Sequence, residues 1–358
     1  METKGLIFIP DISGFTRFVS ETEIDHSRMI IQEMLETLIN ANQMDLQISE
    51  IEGDAILFYK FGASPELGEI YKQVERMFCE FHRHLVAYDQ RKFCQCQACL
   101  AAIQLTLKVI THYGEFTEYN VKTFNKLIGR DIIVAHQLLK NDIDKHEYWL
   151  VTKSLLADAS PATFTEWMEW NSSTRPVESG EIGFYFTQLS ELKKQIDPEP
   201  LPQLYLSDKV RALSLSREYQ TDIITLFHAT GDFNFRNKWQ EGVKEVEEVD
   251  HLLPRIGMRC RCVMEDGHID IYSSSYSYSP EKIVFSDTFE KEGHTMLYTL
   301  EKKGESITSL TIDFYLQRNI PAQLLFNLFK KGKVENTLQK SMLNLDDLVK
   351  ELHLPGPI

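Results

Sequence analysis

The sequence predicts an α+β protein built as two domains, and three features of its 358 residues carry that expectation. Strand-like and helix-like runs alternate through the first half, which calls for helices packed on a sheet. The run Pro198-Glu199-Pro200-Leu201-Pro202 then breaks the pattern and reads as a semi-rigid linker. After it come short alternating runs and one long helical repeat, an arrangement that buries its helix only by curling an antiparallel sheet around it. The expected boundaries are 1–195 for the first domain, 196–207 for the linker and 208–358 for the second domain. A mass of 41.6 kDa with 43% hydrophobic residues leaves each domain enough chain for an ordinary core.

The chain opens with Leu6-Ile7-Phe8-Ile9, an apolar run that reads as a buried strand, and continues as Pro10-Asp11-Ile12-Ser13-Gly14-Phe15-Thr16. Asp11 should therefore leave the strand's C-terminal edge beside a helix start. Two readings are open there: a capping residue on a strand-to-helix turn, or a ligand for a hard cation beside phosphate-binding amides. Ile30, Ile31, Met34, Leu35 and Leu38 recur at helical spacing and predict a helix over about residues 25–42. Residues 46–52 and 55–59 read as strands joined at Gly53-Asp54, which puts Asp54 near a hairpin tip. A helix from about Pro65 carries Ile70, Val74, Met77, Phe81 and Leu85 on one face. Residues 105–113 read as a strand ending at Gly114. Residues 128–135 lead into a helix through Leu138 and Leu139, and 148–151 form one more short strand.

Beyond the linker, residues 209–215 alternate like a strand and 222–229 read as a helix, followed by an aromatic segment from Phe233 to Val243. Strand candidates follow at 258–264, 268–273, 282–286, 295–302 and 306–315. Val334, Leu338, Met342, Leu345, Val349 and Leu352 then step by three or four, predicting a long closing helix.

In the order and local sequence of these pieces, residues 1–195 resemble the class III adenylyl/guanylyl cyclase catalytic domain. The likeness rests on Asp11 followed by Gly14-Phe15-Thr16, on Gly53-Asp54 in its hairpin, on His112-Tyr113-Gly114, and on Gly129 and Ala135 in a partly matched segment. The resemblance implies a ferredoxin-like α/β sandwich in which Asp11 and Asp54 bind two divalent ions, Mg²⁺ or Mn²⁺. Such ions neutralise a nucleoside triphosphate and help activate the attacking ribose hydroxyl. Ser13, Gly14, Phe15 and Thr16 would lie against the phosphates. Glu50, four residues before Asp54, would read the base, and it leans toward guanine because a carboxylate accepts from the N1–H and the 2-amino group. Lys126 stands at the second base-reading position and fits neither the adenylyl nor the guanylyl pattern. Because sites of this family form between two domains facing head to tail, the resemblance also implies a homodimer.

One departure weighs against turnover. The family's transition-state Asn and Arg align with Ile133 and Gln137, of which the first donates no hydrogen bond and the second carries no charge. Loss of one preorganised donor typically costs on the order of a hundred- to a thousandfold in rate. No catalytic residue is assigned on this reading.

Residues 208–355 resemble the START-like, or polyketide-cyclase-like (SRPBCC), helix-grip family, on the order of elements and on the aromatic loop from Phe235 to Trp239. That resemblance implies a space between sheet and helix able to hold a hydrophobic small molecule. A packed core with no cavity is the other reading.

A formal net charge of −15 and a pI near 5.2 argue against nonspecific binding to nucleic acid or to an anionic membrane, since both need a basic footprint. No apolar run has the length of a membrane span, and no basic-then-apolar leader precedes Asp11, so the expectation is a cytoplasmic protein. Six cysteines in such a chain read as reduced thiols or metal ligands. Cys94, Cys96 and Cys99, with His82 or Cys79 as the fourth donor, could ligate Zn²⁺. Their spacing is not the paired C-x-x-C pattern, and a turn of reduced, packed cysteines is the simpler account. Cys260 and Cys262, two apart on a strand, read as packing residues on one face.

Three functional readings remain. The leading one is a signalling or sensor protein whose cyclase-like domain binds Mg-nucleotide with weak or no turnover, coupled to a ligand-binding helix-grip domain. The second is an active guanylyl or adenylyl cyclase with unfamiliar transition-state groups. The third is a lipid or hydrophobic-metabolite carrier acting through the second domain.

Overall fold

The computed structural model describes residues 3–157, 159–177, 180–197, 200–247 and 251–352. Pro198 and Glu199 of the expected linker lie outside the described residues. The chain forms two compact units, residues 1–90 with 97–199, and residues 91–96 with 200–358.

The first unit contains strands β1 (Lys4–Ser13), β2 (Gln47–Glu52), β3 (Ala55–Phe61), β4 (Thr106–Glu115), β5 (Thr117–Val121), β6 (Phe124–Ile128), β7 (Tyr148–Thr152), β8 (Asn171–Val177) and β9 (Gly180–Gln188). Its helices are α1 (Phe15–Glu21), α2 (Ile24–Asn40), α3 (Leu67–Arg91), α4 (Gln97–Ala101) and α5 (Arg130–Leu139). Seven strands join in the order β2-β3-β1-β4-β7-β9-β8, with β1 antiparallel to both of its neighbours. Burial of β1 explains its unbroken apolar run: Leu6, Ile7, Phe8 and Ile9 are all buried. Ile7 and Ile9 pack with Leu57 and Ile110 and with Val134, Ala135 and Leu138 of α5. Strands β4 and β7 pair in parallel, and a parallel pair needs a crossover. Here the crossover contains α5, which covers the sheet beside β1, and the separate hairpin β5–β6.

That hairpin and the β8–β9 pair have no counterpart in the sequence expectations. Every residue of β5 is exposed, so it shows no alternation of buried and exposed positions to read. The other expected elements of this unit form within a few residues of their predicted bounds.

The second unit is built from β10 (Lys209–Tyr219), β11 (Glu245–Glu247), β12 (Arg259–Met264), β13 (Gly267–Ser279), β14 (Lys282–Phe289), β15 (Thr295–Gly304) and β16 (Ile307–Gln317). With them come α6 (Ile223–Gly231), α7 (Arg236–Trp239), α8 (Ile320–Phe329) and α9 (Lys331–Glu351). The strands form one antiparallel sheet in the order β10-β16-β15-β14-β13-β12-β11. Asp222 starts α6 as its cap, its Oδ1 accepting from the amides of Ile224 and Thr225 at 3.0 Å. Leu338, Met342, Leu345, Leu348 and Val349 of α9 bury in one cluster with Leu213, Tyr219, Phe227 and Ile312. Tyr219 ties the helix to β10 by donating its hydroxyl to the Met342 carbonyl at 2.8 Å.

Much of the interior between sheet and helix is occupied. Phe285 stacks on Tyr298 with ring centres 4.6 Å apart, and the fully buried Arg236 pairs with Asp287. Cys260 and Cys262 lie on one buried face with their sulfurs 3.9 Å apart, as their spacing requires.

Candidate functional site

The first site residue is placed by strand register. In β1, Asp11 stands opposite Ala55 of β3 and Lys108 of β4. Asp54 precedes β3 in a tight turn where Gly53 takes φ +61°, a conformation that side chains bearing a Cβ seldom adopt. The Asp54 carbonyl accepts from the Ile12 amide at 3.0 Å, which holds the turn against the end of β1. Both carboxylates face a cleft of about 890 Å³. Its walls include residues 12–17, Glu52, Lys108 and His146, on α5 Ile133, His136 and Gln137, and Lys140 just past the end of α5.

The electrostatics of this cleft favour a cation at the carboxylates. Burial pushes Asp11 above the usual carboxylate range, opposed by the Lys108 ammonium, whose Nζ lies 3.2 Å from Oδ1. Asp54 is pushed up to about 6, first by burial and next by the charge on Asp11. Lys108 compensates Asp11, whereas Asp54 sits beside the Asp11 charge with its own proton affinity raised. Ser13 adds a second sign of incompleteness, because its Oγ is buried with no hydrogen-bond partner and lies on the cleft wall. Hard oxygen donors, an orphaned hydroxyl and open volume fit a divalent ion that keeps part of its water.

Helix α5 sorts its residues between core and cleft. Val134, Ala135 and Leu138 are buried in the core, Ile132 is buried at the cleft's edge, and Ile133 and Gln137, one turn apart, line the cleft. Ile133 is 59% exposed there. The helix start is fixed by the expected His112-Tyr113-Gly114 segment. His112 is buried, with Nε2 3.0 Å from Asp131 Oδ1 and Nδ1 2.9 Å from Thr152 Oγ1. Asp131 Oδ2 accepts from the Glu115 amide at 2.6 Å. Burial alone would raise the Asp131 carboxyl, but the bonds from His112 and Glu115 hold it below the usual range. Gly114 is required by this contact, since a Cβ in its place would meet the Asp131 carboxyl at 2.2–2.5 Å.

Glu50 and Lys126 are not among the residues lining the cleft. Lys126 Nζ pairs with Glu50 Oε2, and His136 Nε2 lies 3.9 Å from Glu50 Oε1. The carboxylate expected to meet a base is thus engaged by the lysine expected to assist it. Lys108, His136, Lys140 and His146 entered the cleft without being anticipated. The spacing of two of them offered one signal, because His136 on α5 and Lys140 at its C-cap are four apart.

The expected role of His82 as a thiol-site partner is corrected. Its ring is buried with Nε2 3.2 Å from Thr106 Oγ1, and burial pushes its pKa down to about 3. The imidazole beside Cys99 is that of His26, whose Nδ1 lies 3.5 Å from Cys99 Sγ. Tyr88 donates its hydroxyl to the same sulfur at 2.9 Å. The Cys96 amide donates to Cys94 Sγ at 3.4 Å. The Cys79 thiol is pushed up to about 11, chiefly by burial and then by Glu75.

Residues 31–148 match a family described as a protein of unknown function, DUF2652. The uncharacterized protein Rv2561/Rv2562 of Mycobacterium tuberculosis (strain ATCC 25618 / H37Rv) is 28% identical over 120 residues, or 34% of this chain. The chain spans 56% of that relative's length. Among solved structures, 52% of the chain is similar to 96% of the catalytic core of a rhodopsin-guanylyl cyclase with converted specificity, at 14% identity and a TM-score of 0.36. A bacterial light-regulated adenylyl cyclase is similar over 54% of this chain and 96% of its own, at 14% identity and a TM-score of 0.37. The adenylyl cyclase CyaB from P. aeruginosa is similar over 52% of this chain and 93% of its own, at 18% identity and a TM-score of 0.34.

Proposed function

We propose that the first unit is a cyclase-like domain that binds a nucleoside triphosphate with Mg²⁺ or Mn²⁺ at Asp11 and Asp54 and turns it over slowly or not at all. The observation that carries this reading is the pair Asp11 and Asp54 on a cleft of about 890 Å³, with Asp54 raised by burial and by the Asp11 charge. A divalent ion there would relieve the pair and neutralise phosphate charge, while Lys108, Lys140 and the Ser13 hydroxyl offer donors to phosphate oxygens. Against turnover stand Ile133 and Gln137, which occupy the α5 wall where stabilising donors would have to be. Base preference is weak in a single chain, because Lys126 already neutralises Glu50. The role of such a domain is that of a sensor or signalling module. The second unit is read as a START-like helix-grip partner on the strength of α9 seated against its antiparallel sheet.

Calorimetric titration of GTP and ATP with Mg²⁺ or Mn²⁺ tests the proposal. The parent chain should bind, and the Asp11→Ala/Asp54→Ala variant should bind at least tenfold more weakly, or about 1.4 kcal/mol less favourably. Identical titrations would remove the nucleotide reading. Cyclic GMP or cyclic AMP formation at ordinary enzymatic rates, abolished by Asp11→Ala, would establish the active-cyclase alternative instead.

A further inference from the structure

The second unit carries a surface that the nucleotide reading does not use. Between Tyr315 and Val334 the chain contains Arg318, Lys330, Lys331 and Lys333 and no acidic residue, although its net charge is −15. Helix α8 lies inside this basic stretch. Among its described side chains Phe326 is the buried one, and it stacks on Phe314 with ring centres 5.7 Å apart. The remaining large apolar residues point away from the core. Ile320, Leu324, Leu325, Leu328 and Phe329 are 56–75% exposed. Spacings of four between Ile320, Leu324 and Leu328, and between Leu325 and Phe329, gather them on one outward face. Soluble domains rarely leave so much contiguous apolar surface uncovered.

We propose that α8 is an interfacial helix that lays this face into an anionic lipid bilayer, with Arg318 and the three lysines at the headgroups. Charge chooses the occupant. The basic residues bracket the apolar face at both ends, which is the arrangement by which lysines reach headgroups while leucine and phenylalanine enter the acyl boundary. A second copy docked through the same face would set one copy's basic ends, Arg318 or the lysine cluster, against the other's, which is repulsive. Ten residues are too few to span a bilayer, and no helix among the described residues is long and apolar enough to cross a membrane, so α8 lies flat. The chain-wide acidity that argued against a membrane partner does not describe this segment, because screening confines each charge to its neighbourhood.

Flotation of the intact chain with vesicles tests the proposal, using phosphatidylcholine alone and phosphatidylcholine mixed with phosphatidylserine. Binding should require phosphatidylserine and weaken as salt is raised. Leu324→Ser/Leu328→Ser should lower the bound fraction by roughly tenfold or more. Replacing Lys330, Lys331 and Lys333 by Ala should erase the lipid preference. In a Phe329→Trp chain, emission should shift to the blue on vesicle addition, a readout that needs no loss of binding. The proposal is overturned if the chain ignores both vesicles, if the serine variant floats like the parent, or if the tryptophan reports no change. Patch-dependent self-association, or capture of an acidic protein without lipid binding, would overturn it equally.

Discussion

Asp54 is the residue at which protonation and ion binding meet. Its folded pKa of about 6 lies above the ordinary value of 3.8 because the site is partly buried and Asp11 is close. The folded chain therefore holds this proton more tightly than the unfolded chain does, so the associated stability is present in acid and is lost as pH rises through about 6. A divalent ion competes with the same proton. Affinity for Mn²⁺ should accordingly climb as pH passes from about one unit below that pKa to one unit above it and then level off. Asp54→Asn should both weaken binding and flatten the profile, and calorimetry over that interval would show either. A parent profile that is already flat would mean that the ion does not meet Asp54. Asp11 and Asp54 were legible because each belongs to a short local pattern. Lys108 was not, because its position opposite Asp11 depends on the pairing of strands about a hundred residues apart. The orphaned Ser13 hydroxyl was equally hidden, since an unmade hydrogen bond leaves no mark in sequence.

At the scale of elements, α5 connects architecture to chemistry. Its buried face fixes its rotation over β1 and β4, and the His112–Asp131 contact fixes its start, so the cleft-facing positions Ile133 and Gln137 have little freedom. If these two residues are what prevents turnover, restoring the donors should reveal it. Ile133→Asn/Gln137→Arg is expected to raise cyclic nucleotide formation by at least a hundredfold over the parent, the scale set by a single preorganised donor. Product that stays at background, with nucleotide binding retained, would place the obstacle elsewhere in the cleft. Elements with one buried face were readable from sequence, as α3 and α9 illustrate with their apolar spacing. Helix α8 was not, for a physical reason: most of its apolar residues face outward, so the pattern that ordinarily marks a core-facing helix has no core behind it. Strand β5 fails from the opposite cause, being exposed on both faces.

At the scale of the molecule, a boundary drawn along the sequence cannot express the excursion of residues 91–96 into the second unit. There Lys92 bridges to Arg255 and the Phe93 amide donates to the Pro254 carbonyl at 3.3 Å. Such a contact depends on two segments distant in sequence and carries no local signature. The homodimer that the resemblance to cyclase domains implies is a question of the same scale. In the first unit Tyr119 and Val121 of β5, Ile128 at the end of β6 and Ile133 of α5 are 44–59% exposed, while Glu50 and Lys126 pair with each other. A second copy facing head to tail would cover apolar surface and complete the site from outside the chain. The intact protein should then sediment at twice its monomer mass, and Val121→Asp/Ile128→Asp should return it to monomer, since each buried charge would go uncompensated. Nucleotide binding should fall with the dimer in that variant. Asp11→Ala/Asp54→Ala should lose binding while remaining dimeric, and Leu324→Ser/Leu328→Ser should alter neither property. A chain that stays monomeric at every concentration yet binds nucleotide would show the site to be complete within one copy, and the exposed residues of β5, β6 and α5 would need another partner.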